Sequence, residues 1–141
     1  MIIVIDASVA AKWFFQEEHS DAALDLLGNP FDLKAPDFLY LELESLLCKR
    51  TRRKELSIEE ALEMDIEIRS MPISSYPLAE LRERAYELAL ETKSSIYDCL
   101  CLALAEALEA PMVTADRKFF QALQNSSLCN RLLMVEDLKK T

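Results

Sequence analysis

Met1-Ile2-Ile3-Val4-Ile5-Asp6-Ala7-Ser8 opens the chain, and its reading decides the fold. Ile2 to Ile5 are consecutive β-branched residues with no polar alternation, the pattern of a strand buried on both faces of a parallel sheet. The run stops at a carboxylate. Asp6 is therefore expected at the carboxyl end of that strand, where open α/β sheets place their ligands. Outward from it, short strands are expected over Phe31–Ala35, Met71–Ser75, Pro111–Thr114 and Leu132–Val135, the second of these at an edge because of Pro72. They alternate with helical stretches, which predicts a single α/β domain over residues 1–141.

The helices follow from spacing and punctuation. Ala7 to Gln16 reads as one helix, with Val9, Trp13 and Phe14 on a common face. A second is expected from Ser20, as N-cap, to Gly28, as the residue just past its end, with Asn29-Pro30 as the break. Pro36 suits the first turn of a helix reaching Lys54, with Leu39, Leu43, Leu46 and Leu47 as its core stripe. On that helix Glu42 shares a ridge with Phe38 and Leu46, while Glu44 shares one with Tyr40 and Cys48. Periodicity does not choose between the two acids. Ser57-Ile58-Glu59-Glu60 is a capping box, Pro77 starts another helix, and Ser95-Ile96-Tyr97-Asp98 opens the most apolar one, expected at the centre of the packing. Arg117 to Leu123 is helical, and the last strand leads into a charged tail.

A chain of 141 residues can bury roughly 68–70% of its unfolded surface around one core. No window supplies the ~18 uncharged apolar residues of a membrane span, and the N-terminus lacks the basic flank and cleavage site of a secretory signal. An intracellular, cytoplasmic protein is expected. The formal net charge of −9 repels polyanions on average, so nucleic-acid chemistry needs local help. Two sources are visible: the basic run Lys49-Arg50-Thr51-Arg52-Arg53-Lys54, which reads more readily as a solvated helix end than as a phosphate contact, and cations held by acids. Cys48, Cys99, Cys101 and Cys129 form no C-x-x-C pair and have no histidine at zinc spacing, so buried free thiols are expected. His19, the only histidine, lies in a polar stretch and is expected at the surface, which leaves histidine-dependent triads without support.

In a parallel α/β fold, helix N-termini and strand C-termini share one edge of the sheet. Asp6 and Asp116 follow strands, and Glu42 and Asp98 lie in first turns of helices, so all four can reach one rim. Each also has a structural explanation. Asp6 and Asp116 can cap the helices after them, Asp98 can close a box with Ser95, and Glu42 can be a solvated helix acid. Together, however, they combine the acid that ends the most buried strand with the one that opens the most buried helix. Carboxylates gathered in one crevice repel each other and call for a cation, and an all-oxygen set selects Mg²⁺ or Mn²⁺ over zinc. Such an ion can activate water for in-line displacement at phosphorus, and it reverses the local sign of an acidic protein.

Ile3-Val4-Ile5-Asp6-Ala7-Ser8, Ala35-Pro36-Asp37 running to Glu42, Ser95-Ile96-Tyr97-Asp98-Cys99 and Val113-Thr114-Ala115-Asp116-Arg117-Lys118-Phe119 resemble, in order and spacing, the four acidic motifs of PIN-domain ribonucleases, and among them the VapC-like toxins of prokaryotic toxin–antitoxin pairs. The resemblance implies a three-layer α/β/α domain around a twisted, mainly parallel sheet of about five strands. It also implies metal-dependent endonucleolytic cleavage of RNA, a homodimer, and inhibition by a cognate antitoxin. By the same resemblance Asp6, Glu42, Asp98 and Asp116 are the catalytic, metal-binding acids, with Glu42 preferred over Glu44 by its place after Ala35-Pro36. Ser8 and Thr114 match the hydroxyls beside the first and last acids. Two departures are visible: Cys99 stands where alanine is usual, and Phe119-Phe120 occupy the region where some members carry a further acid. A PIN-like scaffold that binds a partner protein or RNA without cutting is the alternative. A phosphotransferase with Asp6 as nucleophile ranks last, because Ser8 stands where its second acid is needed.

Overall fold

A computed structural model describes residues 1–28 and 30–138; Asn29 of the expected Asn29-Pro30 break and residues 139–141 of the charged tail lie outside the described residues. In chain order the elements are β1 (Ile2–Ile5), α1 (Ala7–Ala10), α2 (Ser20–Leu24), β2 (Asp32–Pro36), α3 (Phe38–Arg52), α4 (Ile58–Arg69), β3 (Ile73–Tyr76), α5 (Leu78–Thr92), α6 (Ile96–Leu108), β4 (Met112–Thr114), α7 (Arg117–Ala122) and β5 (Leu132–Met134). Among the described residues the five strands form one sheet in the order β3-β2-β1-β4-β5, and every pairing is parallel. β3 lies at the edge, as expected, although Pro72 falls just before the strand rather than within it.

The central strand separates two packed layers. Ile3 and Ile5 point into a cluster with Val9, Leu33, Leu39, Leu43 and Leu47, while Val4 points into another with Leu88, Leu102, Leu104 and Met112. Alternate residues of one strand therefore serve helices on opposite faces, which is why the run shows no polar alternation. Among the helices, α6 is buried from Cys99 through Ala105. It is fastened to α5 by a two-pronged pair in which Arg84 Nε and Nη2 meet Glu106 at 2.7 and 3.0 Å.

Several local expectations change. The helix after Asp6 is only α1, tightening into a 3₁₀ turn over Ala11–Trp13. Tertiary bonds take the chain out of register: the Trp13 indole N–H donates to the Ala23 carbonyl at 2.8 Å, and the Lys12 ammonium donates to the Glu18 carbonyl. Ser20 is not a cap. His19 occupies that position at φ 65°, and the buried Ser20 hydroxyl accepts from Glu17 N at 2.9 Å while donating to the Phe15 carbonyl at 3.2 Å. Because α2 stops at Leu24, Gly28 (φ 107°) shapes the turn into β2 rather than closing the helix. Pro36 ends β2 instead of opening α3, and Leu46 is only half-buried. Cys99 and Cys101 are buried free thiols as expected, whereas Cys48 is exposed and Cys129 is half-buried.

Candidate functional site

Strand order reverses at β1, with β2 and β3 on one side and β4 and β5 on the other. Parallel sheets open a crevice at the carboxyl ends of the strands flanking such a point. Asp6 directly follows β1, and Asp116 stands two residues beyond β4. Both acids do cap helices: Asp6 Oδ1 accepts from Val9 N at 3.2 Å, and Asp116 Oδ1 accepts from Phe119 N at 3.1 Å. Capping does not exhaust their surroundings.

Asp6 is 5% exposed, and each of its carboxyl oxygens takes a hydroxyl donor as well. The Ser8 hydroxyl donates to Oδ1 and the Thr114 hydroxyl donates to Oδ2, each at 2.5 Å. Those hydroxyls in turn accept backbone N–H groups, Ser8 Oγ from Ala115 and Thr114 Oγ1 from Asp116, both at 3.0 Å. One polar network thus ties the ends of β1 and β4 together and fixes where Asp6 and Asp116 stand. Thr114 is fully buried in a three-residue strand, so its hydroxyl is available only to this network.

Asp98 enters from α6. The expected box with Ser95 does not close: Ser95 Oγ accepts from Tyr97 N at 3.1 Å, and no hydrogen bond joins Asp98 to Ser95 among the described residues. The contrast lies at Ser57, where both arms of the box to Glu60 form at 3.0 Å. Asp98 is therefore free to face the other acids. On α3 the geometry separates the two glutamates. Glu44 Oε2 accepts from Arg69 Nη2 of α4 at 2.9 Å, whereas half-buried Glu42 lies in the electrostatic reach of Asp6 and Asp98.

Those mutual fields shift the acids. Burial pushes Glu42 up to about 7, and repulsion from Asp6 and Asp98 adds to it. Burial likewise pushes Asp98 up to about 6, reinforced by Asp6 and Asp116. Asp6 is raised by burial, against the lowering effect of its Ser8, Thr114 and Val9 hydrogen bonds, with Asp116 raising it further. The four acids of the sequence pattern thus share one field. Among the described residues no three Cys, His, Asp or Glu side chains lie grouped closely enough to hold a metal ion as they stand. The donor chemistry nevertheless fits a hard divalent cation, because oxygen ligands of like charge are what such an ion neutralises.

Since both folded values lie above those of free carboxyls, the folded state holds extra protons at intermediate pH. The stabilisation is complete only below the free-carboxyl values of 3.8 and 4.5 and is lost as pH rises through about 6 for Asp98 and about 7 for Glu42. The metal-free protein is expected to melt a few degrees lower at pH 8 than at pH 5.5, the effect being limited by solvent screening of both side chains. Melting curves for Glu42→Gln should lose most of that slope. An unchanged slope would show that the Glu42 carboxyl is not raised in the folded protein.

Three features escape a reading of the sequence. Lys12, only 10% exposed, lines a groove with Ser8, Glu42 and Ala115, beside Glu17 at 3.7 Å. A lone lysine between Ala11 and Trp13 carries no signal until the 3₁₀ turn places it. The buried Cys101 thiol donates to the Ile5 carbonyl at 3.7 Å, and burial with the fields of Asp6, Glu42 and Asp98 raises it well above an ordinary thiol. It is an inert floor beneath the acids. Phe38 and Tyr97 stack at the rim beside Glu42. By contrast, Arg50 of the basic run is already engaged, lying 3.8 Å over the Phe15 ring and pairing with Glu17 and Glu55 at 3.5 and 3.6 Å.

Comparison with known proteins bears on the family and the fold. The family model of the PIN domain matches residues 3–123. The chain is 32% identical over 122 residues to ribonuclease VapC3 of Pyrobaculum aerophilum, covering 84% of this chain and 92% of that protein. It is 27% identical to ribonuclease VapC12 of Mycobacterium tuberculosis, covering 86% and 92% of the two chains. Among solved structures, VapBC2 from Rickettsia felis, bound to a DNA fragment from its promoter, superposes with a TM-score of 0.67 at 18% identity, over 95% of this chain and 98% of that one. VapC20 of Mycobacterium tuberculosis, described as a sarcin-ricin loop cleaving toxin, gives a TM-score of 0.61 at 18% identity, over 79% and 86%.

Proposed function

The chain belongs to the PIN-domain family, and from that membership we propose that it is an endoribonuclease, dependent on Mg²⁺ or Mn²⁺ held by Asp6, Asp98, Asp116 and Glu42. The observation that carries the reading is the shared field: Glu42 and Asp98, delivered by different helices, are raised together by burial and by the acids that follow β1 and β4. The names of the relatives as ribonucleases support the choice of RNA.

When bound, such an ion neutralises phosphate charge and lowers the pKa of water for in-line attack at phosphorus. The chain's own contribution is positioning. Asp6 is immobilised by three donors and anchors the set, while Ser8 and Thr114 fix its orientation and that of Asp116. Near pH 6.5 Glu42 is largely protonated and Asp98 partly so, and ion binding would release those protons. Lys12 brings an ammonium into the groove beside Glu42, partly offsetting the repulsion a phosphate meets there.

The biological role we assign is the toxin of a type II toxin–antitoxin pair in the cytoplasm, acting as a homodimer and silenced by a protein antitoxin. Apolar side chains left exposed on α4 (Ile58, Leu62, Ile66) and on α5 (Tyr86, Leu90) support further protein contacts. No helix of the described residues is long and apolar enough to cross a membrane. We also take residues 1–141 as a single PIN unit. The absence of a ready-made ligand cage among the described residues favours a second reading, a PIN scaffold that binds without cutting.

The test is metal removal. Purified protein should cleave RNA with Mn²⁺ or Mg²⁺, stop in excess chelator, and recover when the ion is restored. Cleavage that persists in chelator would contradict the proposal, and RNA binding with no cleavage in any divalent ion would establish the scaffold instead.

A further inference from the structure

Phe38, the first residue of α3, and Tyr97, in the first turn of α6, lie ring on ring with centroids 5.0 Å apart and planes 8° from parallel. Phe38 is half-buried, but Tyr97 remains 54% exposed. The pair walls a groove of about 340 Å³ with Leu41, Glu42 and Ser45, near the small end of ligand clefts (roughly 300–1,000 Å³). Two connections join this groove to the acids. Glu42 lines it and also lines the Lys12 groove, and Tyr97 immediately precedes Asp98.

The chemistry favours a nucleotide. A near-parallel ring pair with an outward face presents a flat surface to a third ring, which suits a base better than a branched aliphatic side chain. Ser45 and the Tyr97 phenol add polar groups at the edge. The start of α3 also lacks a side-chain cap, because Asp37 Oδ1 instead accepts from Leu78 N at 3.0 Å, at the start of α5. Uncapped N–H groups at the head of a 15-residue helix favour an anion such as a backbone phosphate.

Resting on the ribonuclease reading above, we infer that Phe38 and Tyr97 form a stacking platform for one unpaired base of the RNA strand, presenting the adjoining phosphodiester to Asp98 and Glu42. A base held in a duplex has no free face for this platform, so the preferred substrate is single-stranded or looped at that nucleotide. Stacking accepts any base. The platform therefore selects for an unpaired nucleotide rather than for base identity.

The experiment measures binding of an end-labelled, single-stranded oligoribonucleotide to full-length chains in an Asp6→Asn background, so that the RNA stays intact. Adding Tyr97→Ala should weaken binding roughly tenfold or more, whereas Tyr97→Trp should preserve it and both should melt like the parent. One abasic nucleotide at the stacked position should weaken binding to the parent by a similar factor and leave the Tyr97→Ala affinity unchanged, since the contact is already gone. Equal losses on both proteins would overturn the stacking. So would unchanged affinity in Tyr97→Ala. If Tyr97→Ala loses a protein antitoxin but not RNA, the platform belongs to that partner and the inference is wrong. In each of these cases Asp6→Asn would still abolish cleavage, leaving the nuclease reading intact. Only a wild-type chain that never cuts RNA brings down both.

Discussion

Asp6→Asn lowers RNA cleavage by roughly a thousandfold or more, at or beyond the upper end of what removing one charge-stabilising group costs, and leaves the fold intact. The substitution preserves shape. Asparagine caps helices as well as aspartate does, so its side-chain oxygen can keep the bond from Val9 N, and the Thr114 hydroxyl can turn to accept from the new amide. What disappears is a negative charge in a site that is 5% exposed, where burial and Asp116 already raise the Asp6 carboxyl. Stability should therefore hold or rise slightly while activity collapses. Cleavage rates paired with melting curves read both effects. Cleavage near the wild-type rate would remove Asp6 from the chemistry.

Glu42→Gln and Glu44→Gln should behave as opposites although they lie two residues apart on one helix. Glu42 faces Asp6 and Asp98, so neutralising it should reduce cleavage roughly a hundredfold, comparable to the loss of a residue that orients or supplements metal ligands. Glu44 is engaged with Arg69, an exposed side chain that also pairs with Asp65 at 3.1 Å. Losing that contact exchanges a surface ion pair for water, so cleavage by Glu44→Gln should stay within about twofold of wild type, and stability should barely change. Steady-state cleavage of one RNA substrate by the two variants decides the matter. The reverse pattern would place the acidic centre on the wrong side of α3.

The elements legible in the sequence are those whose local signal and tertiary environment agree. Ile3–Ile5 of the opening run are buried because helices cover both faces of the strand, with Ile2 left 39% exposed at its start, and the Cys99–Ala105 run is central because nothing polar interrupts it. Ser57 and Glu60 form their box without outside help. Where long-range bonds override spacing, reading fails. Trp13 sits at a helical interval from Val9, yet its indole is claimed by Ala23, and Ser20 has the chemistry of a cap but spends its hydroxyl on Glu17 and Phe15. The acids show the same division. Their position at one edge follows from topology, but periodicity leaves Glu42 and Glu44 open, and the physical reason that separates them is Arg69, a residue on the next helix. Lys12 and the Phe38–Tyr97 stack depend wholly on three-dimensional placement.

The claim on which the rest depends is that the carboxylates of Asp6, Glu42, Asp98 and Asp116 act as one set toward a single cation. Calorimetric titration of Mn²⁺ at pH 6.5, repeated in two buffers of different ionisation enthalpy, measures affinity and proton release together. The wild-type chain should bind the ion and release protons, because Glu42 and Asp98 are held at about 7 and about 6 before it arrives. Asp98→Asn should lose both most of the affinity and much of the release. Binding of undiminished affinity in Asp98→Asn, with heats that do not depend on buffer, would mean that these acids do not work together.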